Sequence, residues 1–245
     1  MPRVARNIIS DIPYHVIHRG NNRQKIFFCD RDYRYFLSLI KEAKKKYRCR
    51  LYSYVLMPNH IHLLLESPQS SENFAKYIKL LAQKYSQHIN KGYKRTGTLW
   101  EGKFKSSLVS RDNYLLACSR YIEMNPVRAH IVKDPKDYIW SSHRYKIGQC
   151  EGAALLDPDP LYIDLGKDGN ERQKNYRKWF KESIPPQEWD LIRNAVNKGS
   201  VFGSSNFKER MEKLLGRSLD TRNKGRPKNR KIGTGSFLSG SSTEK

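Results

Sequence analysis

The sequence predicts an α+β protein: a ferredoxin-like antiparallel sheet with helices, then a small helical region and a basic tail. Two observations predict it. Segments of strand and helix periodicity follow one another as strand, helix, two strands, helix, strand. Near Cys150 the composition changes, and "DPDP" at Asp157 to Pro160 reads as a linker. A chain of 245 residues can hold one domain with a sizeable core plus a smaller appendage. The expected boundaries are 1–149 for the sheet domain, 150–216 for the helical region and 217–245 for a tail expected to be disordered.

Each element has its own signal. "IPYHVIHR" from Ile12 reads as a strand and breaks at the turn-rich "GNNRQ" that starts at Gly20. "DRDYRYFLSLIKEAKKKY" puts Tyr33, Phe36, Leu37 and Ile40 on one helical face, with Asp30 expected as N-cap. "CRLYSYVLM" and "HIHLLLE" are the next two strands, separated by Pro58-Asn59. Ser70-Ser71 caps a helix running to about Lys91, with Phe74, Ile78, Leu81 and Tyr85 as its apolar stripe. "GKFKSSLV" is the fourth strand. Asp112 is expected to cap "NYLLACSRYIEM", which stops at Asn125-Pro126 and can lie across the exposed sheet face. Beyond the linker, "NERQKNYRKWF", "PQEWDLIRNAV" and "SNFKERMEKLL" read as short helices, with Ser205 as the expected cap of the third.

Charge is the strongest global signal. Lys and Arg total 47 against 24 Asp and Glu, a formal net charge of +23. The tail after Leu215 holds eight basic residues against Asp220 and Glu244, so most of the excess lies in the body. A basic body argues for a polyanion gripped by the fold itself. Fifteen tyrosines add flat faces on which unpaired bases can stack. Mean hydropathy is −0.79, and no apolar run approaches the roughly 20 residues of a membrane span. "MPRVARNIIS" lacks the apolar core of a signal peptide. Cys29, Cys49, Cys118 and Cys150 form no C-x-x-C pair, as expected of reduced thiols in a cytoplasmic protein.

The chemistry concentrates in two places. His60 and His62 flank Ile61 on a strand, so both imidazoles share one face while Ile61 takes the other. Paired surface histidines are common on half-buried strands; side by side they are also half of a metal site. The helix ending at Pro126 carries Tyr121 and Asn125, four residues apart on one face. Tyr121 offers a phenol that can attack phosphorus, and Asn125 an amide oxygen that suits a hard cation. Asn125 equally suits the cap of a next helix with Pro126 at its first position. Tyr114 lies about 20° from Tyr121 around the same helix. Spacing does not choose between the two tyrosines.

"YHVIHRGNNRQKIFF", "MPNHIHLLLESP", "GKFKSSLV", "DNYLLACSRYIEMNPVRA" and "YIWSS" together resemble the single-tyrosine HUH transposases, and among them the REP-associated tyrosine transposases. The resemblance spans about Ile12 to Ser142 and continues loosely through "VFGSSNF" and "GRPKNRK". It implies the HUH endonuclease fold, a nucleophilic Tyr121 and a divalent metal, Mg²⁺ or Mn²⁺, held by His60, His62 and Asn125. It also implies a metal-dependent transposase and endonuclease that cleaves and rejoins single-stranded or hairpin DNA, from repetitive extragenic palindromes, through a 5′-phosphotyrosine. Basic residues expected to hold phosphates are Arg19, Arg23, Lys25, Lys103, Lys105 and Arg128, with Arg226 in the tail as a minor-groove candidate. Two rival functions stay open. One is a regulator that binds DNA hairpins without catalysis; the other is a replication or conjugation initiator with the same chemistry. No membrane partner is expected, and monomer and homodimer are both open.

Overall fold

The strand and helix order read from the sequence is the order of the fold, with one strand added. The computed structural model describes residues 8–150, 155–182 and 186–219. In chain order the elements are β1 (Pro13–Arg19), α1 (Asp30–Tyr47), β2 (Arg50–Met57), β3 (His60–Glu66), α2 (Ser71–Gly92), β4 (Lys105–Val109) and α3 (Asn113–Glu123). Three single turns follow: α4 (Asn125–Arg128), α5 (His143–Lys146) and α6 (Pro160–Ile163). The chain then forms α7 (Gly169–Phe180), α8 (Pro186–Lys198), β5 (Val201–Phe202) and α9 (Ser205–Leu215). The sheet order is β2-β3-β1-β4-β5, antiparallel except for the last pair. Among the described residues no helix is long and apolar enough to cross a membrane.

Alternation along the strands divides the core into two layers. Val16, Ile61, Leu63, Leu65 and Leu108 point into the layer filled by α1 and α2, around Phe36, Phe74 and Tyr85. Val55, Met57, Leu64 and Val109 face the other layer, where Leu115, Cys118 and Ile122 of α3 meet Ile192 and Ala195 of α8. Both faces of the sheet are therefore covered. The helix after β4 lies across the second face, as the sequence suggested, but it shares that face with α8.

Several local expectations are corrected. The carboxylate at the start of α1 is Asp32, which accepts from the Phe28 and Cys29 amides; Asp30 lies exposed and pairs with Arg34. Asp112 accepts from the Ser110 hydroxyl and makes no side-chain cap for α3. Ser204, one residue before the expected Ser205, caps α9 by accepting from the Phe207 amide. The "DPDP" segment is docked rather than free: Asp157 pairs with Lys44 and accepts from the Leu51 amide, and Asp159 caps α6. Sequence periodicity also missed β5, because two residues are too few to show a period. Leu219 is buried with the α9 face in the first core, so the packed chain runs past residue 217. The remaining tail, including Arg226, lies outside the described residues.

Glu123 ends α3 fully buried and ties that helix to its surroundings. It accepts from Ser142 at 2.6 Å, Tyr176 of α7 at 2.8 Å and Ser53 of β2 at 3.2 Å. His143 and Lys146 of α5 approach it at 3.1 Å each. Burial alone would raise its pKa. Lys146, His143 and the Ser142 hydrogen bond outweigh burial and hold it at about 2. A depressed carboxylate pKa contributes stability that is present above its ordinary 4.5 and is lost as pH falls toward about 2. Glu123→Ala should cost about 3–5 kcal/mol, because Lys146 is left buried without its counter-charge. Urea denaturation at neutral pH measures this; an unchanged midpoint would refute it.

Candidate active site

The sheet face turned toward α3 carries the candidate residues. β3 brings His60, His62 and Leu64 to this face, and β1 brings His15, Ile17 and Arg19. The imidazoles do not simply look out to solvent. His62 is 2% exposed beneath α3, and His60 is half-buried at the strand's start. Their ring centroids are 5.0 Å apart.

Each histidine has a partner for one ring nitrogen. His60 Nδ1 lies 2.6 Å from Asn59 Oδ1, while the Asn59 amide nitrogen donates to the Arg23 carbonyl. An amide oxygen only accepts, so His60 carries its proton on Nδ1 and keeps the Nε2 lone pair. His62 Nδ1 lies 2.8 Å from His15 Nε2, and those two rings stack with centroids 5.1 Å apart. Burial, with the Arg19 charge added, lowers the His60 pKa to about 4. Burial and the positive neighbourhood of His60, His15, Arg19 and Arg128 push His62 well below its ordinary value. Both rings are neutral at pH 7, the form that binds metal.

α3 places Tyr121 over this pair. Its ring is 6.0 Å from His62, 5.6 Å from His15 and 5.4 Å from Trp189 of α8. The Arg128 guanidinium lies 5.1 Å over the Tyr121 ring and 4.8 Å over Trp189. Tyr114, equal by spacing, packs edge-on against Phe202 of β5 at 5.0 Å and does not border the cavity lined by His60 and His62. Asn125 donates through Nδ2 to the Tyr121 and Ile122 carbonyls at 2.8 and 3.1 Å. It thus closes the end of α3 instead of capping α4. Its Oδ1 accepts no hydrogen bond among the described residues.

These side chains border one cavity of about 590 Å³, floored by Ile17 and Met57. His60, His62, Tyr121 and Asn125 line it, with Arg19, Arg23, Lys103, Lys105 and Arg128 around them. Lys25 is exposed beside the fully buried Ile26 and does not line the cavity. Glu101, Arg193 and Asn197 also line it, and sequence reasoning missed all three. Asn197 Oδ1 accepts from the Lys105 ammonium at 3.0 Å. Trp189, Arg193 and Asn197 recur every four residues, so they form one stripe of α8. That stripe was legible as periodicity. Its approach to Tyr121 was not, since only packing of α8 against β1 and β4 creates it.

The donor set fits a divalent cation. Two neutral imidazoles and an amide oxygen give mixed N and O ligation, suited to Mn²⁺ or Mg²⁺ with positions left over for phosphate. Among the described residues no group of three or more His, Cys, Asp and Glu side chains forms a metal site. Beside the two imidazoles, the Asn125 amide offers an oxygen donor on the wall of this cavity.

Residues 8–125 match a family model described as "Transposase IS200 like". A Haemophilus influenzae protein named as a REP-associated tyrosine transposase is 29% identical over 133 residues, covering 47% of this chain and 75% of that protein. A solved structure of a REP-associated tyrosine transposase bound to a REP hairpin superposes with a TM-score of 0.53 at 16% identity. That superposition covers 65% of this chain and 93% of the other, and it establishes the shared fold.

Proposed function

We propose, for a chain whose residues 8–125 match the IS200-like transposase family model, a cleaving and rejoining activity on single-stranded or hairpin-bearing DNA through Tyr121. One observation carries this reading: Tyr121, His60, His62 and Asn125 converge on a single cavity with a basic rim. Repetitive palindromes are the proposed targets, in keeping with the REP association named for both relatives. The proposed seat of the chemistry is the sheet domain, residues 1–149, working in the cytoplasm beside the DNA. α8 closes one wall of the cavity.

The steps follow from the residues present. Arg19, Arg23, Lys103 and Arg128 hold the backbone of a strand laid across the cavity. The Tyr121 hydroxyl oxygen attacks phosphorus in line, and the bond from phosphorus to the 3′ oxygen breaks. The 3′ oxygen takes up a proton and leaves as a free hydroxyl, while the 5′ phosphate stays on Tyr121. No external energy is needed, because the phosphotyrosine ester keeps the phosphodiester bond energy for the return step. His60, His62 and Asn125 would hold a divalent ion, which would supply positive charge to offset the negative charge that develops during transfer. Packing among His15, His62, Trp189 and Arg128 fixes the Tyr121 ring before substrate arrives. A duplex cannot present its phosphate at so recessed a ring, which favours unpaired strands and hairpin feet.

The test is to incubate the protein with 3′-labelled hairpin DNA and Mn²⁺, then run a denaturing gel. A labelled protein band supports the reading. Hairpin binding without any such band favours the non-catalytic regulator. The α8 wall gives a separate prediction. Arg193→Ala should weaken single-strand binding and lower the salt slope by about 0.7, the value of one phosphate contact. Fluorescence anisotropy across a salt series measures both; an unchanged slope removes Arg193 from the DNA path.

A further inference from the structure

We propose that His15 is a positioning residue for His62: it accepts the His62 Nδ1 proton and so reserves His62 Nε2 for the metal. This rests on the metal reading above and adds to it a residue that neither the motif nor the comparisons assign.

The geometry starts from the sheet register. Ile17 of β1 pairs with His62, and His15 pairs with Leu64, which makes His15 the diagonal neighbour of His62 on the same face. Their nitrogens are 2.8 Å apart, and both rings are buried, His15 at 0% and His62 at 2% exposure. A neutral imidazole has one N–H and one lone pair, so the contact admits two arrangements. If His15 donates, the His62 proton sits on Nε2 and blocks that atom as a ligand. If His62 donates, Nε2 is left with its lone pair, matching the state that Asn59 imposes on His60. Only the second arrangement lets both histidines bind one ion through the same type of nitrogen.

The second arrangement also places the His15 proton on Nδ1, a buried atom without a hydrogen-bond partner. The Ser107 hydroxyl is a second buried atom without a partner, and Ser107 is the residue directly opposite His15 on β4. A hydroxyl turns about a single torsion to accept. Donation in this arrangement runs outward from the ion, from His62 Nδ1 to His15 Nε2, with Ser107 as the neighbour toward which the His15 Nδ1 proton can turn, in the way an outer acceptor orients a metal-bound histidine elsewhere.

Two variants and one spectrum test this. His15→Phe keeps a flat ring but removes the acceptor, and His15→Gln restores an acceptor oxygen at a similar reach. Mn²⁺ affinity, read by electron paramagnetic resonance of free Mn²⁺, should fall about 10- to 100-fold in His15→Phe. It should stay within about threefold of wild type in His15→Gln, since the amide oxygen accepts the same proton. Nitrogen-15 chemical shifts of the metal-free wild type should show His62 protonated at Nδ1. Wild-type affinity in His15→Phe, equal loss in a folded His15→Gln, or His62 protonated at Nε2 would each overturn the proposal. If His15→Phe does not fold, the wild-type spectrum decides alone. A wild type that binds no Mn²⁺ but shows the Nδ1 tautomer would sink the metal site while leaving the hydrogen bond in place.

Discussion

His60→Ala, His62→Ala in one chain should lose Mn²⁺ binding and slow DNA cleavage by about 10³-fold or more, since the charge that stabilises the leaving oxygen goes with the ion. The two rings share a strand face, lie 5.0 Å apart and border the cavity with Tyr121. His60 is half-buried at the start of β3 and His62 is buried beneath α3, so circular dichroism must first show that the double variant is folded. Hairpin binding should persist at low salt, because the basic rim remains. Calorimetric titration with Mn²⁺ measures the site directly. Unchanged affinity in the folded double variant would place the ion elsewhere.

Tyr121→Phe should abolish cleavage, with a loss of at least about 10³-fold, while leaving the fold and hairpin binding intact. Only the phenolic oxygen is removed. The ring keeps its contacts with His15, His62, Trp189 and Arg128, none of which uses that oxygen. Tyr114→Phe should cleave at close to the wild-type rate, because that ring packs on Phe202 away from the cavity. The pair of variants separates two tyrosines that sequence spacing leaves equal. Residual cleavage in Tyr121→Phe together with its loss in Tyr114→Phe would reverse the assignment.

Much of this candidate site is legible in the sequence. Period-two alternation put His60 and His62 on one face of β3 and Ile61 on the other, because a strand allows no other arrangement. Helical spacing put Asn125 one turn beyond Tyr121, and the Nδ2 bond back to the Tyr121 carbonyl shows that relation in the fold. What stayed hidden depended on register and packing. His15 was read only as part of a strand, since its meeting with His62 is set by the β1–β3 pairing across 47 residues. The nearness of Trp189, Arg193 and Asn197 depends on α8 folding back over β1 and β4. Asp30, Asp112 and Ser205 failed as caps for a smaller reason: a neighbouring polar side chain one or two residues away reached the same amides, or took the carboxylate for itself. Lys25 lies outside the cavity lining because charge alone does not say which side of a turn a lysine occupies.

The most direct measurement maps the covalent bond. Wild-type protein trapped with hairpin DNA and Mn²⁺ is digested with protease and nuclease, and the nucleotide-bearing peptide is sequenced by mass spectrometry. The account predicts a 5′-linked nucleotide on Tyr121, within the peptide that follows Arg120. A nucleotide on Tyr114, on another tyrosine or on no residue at all would contradict it.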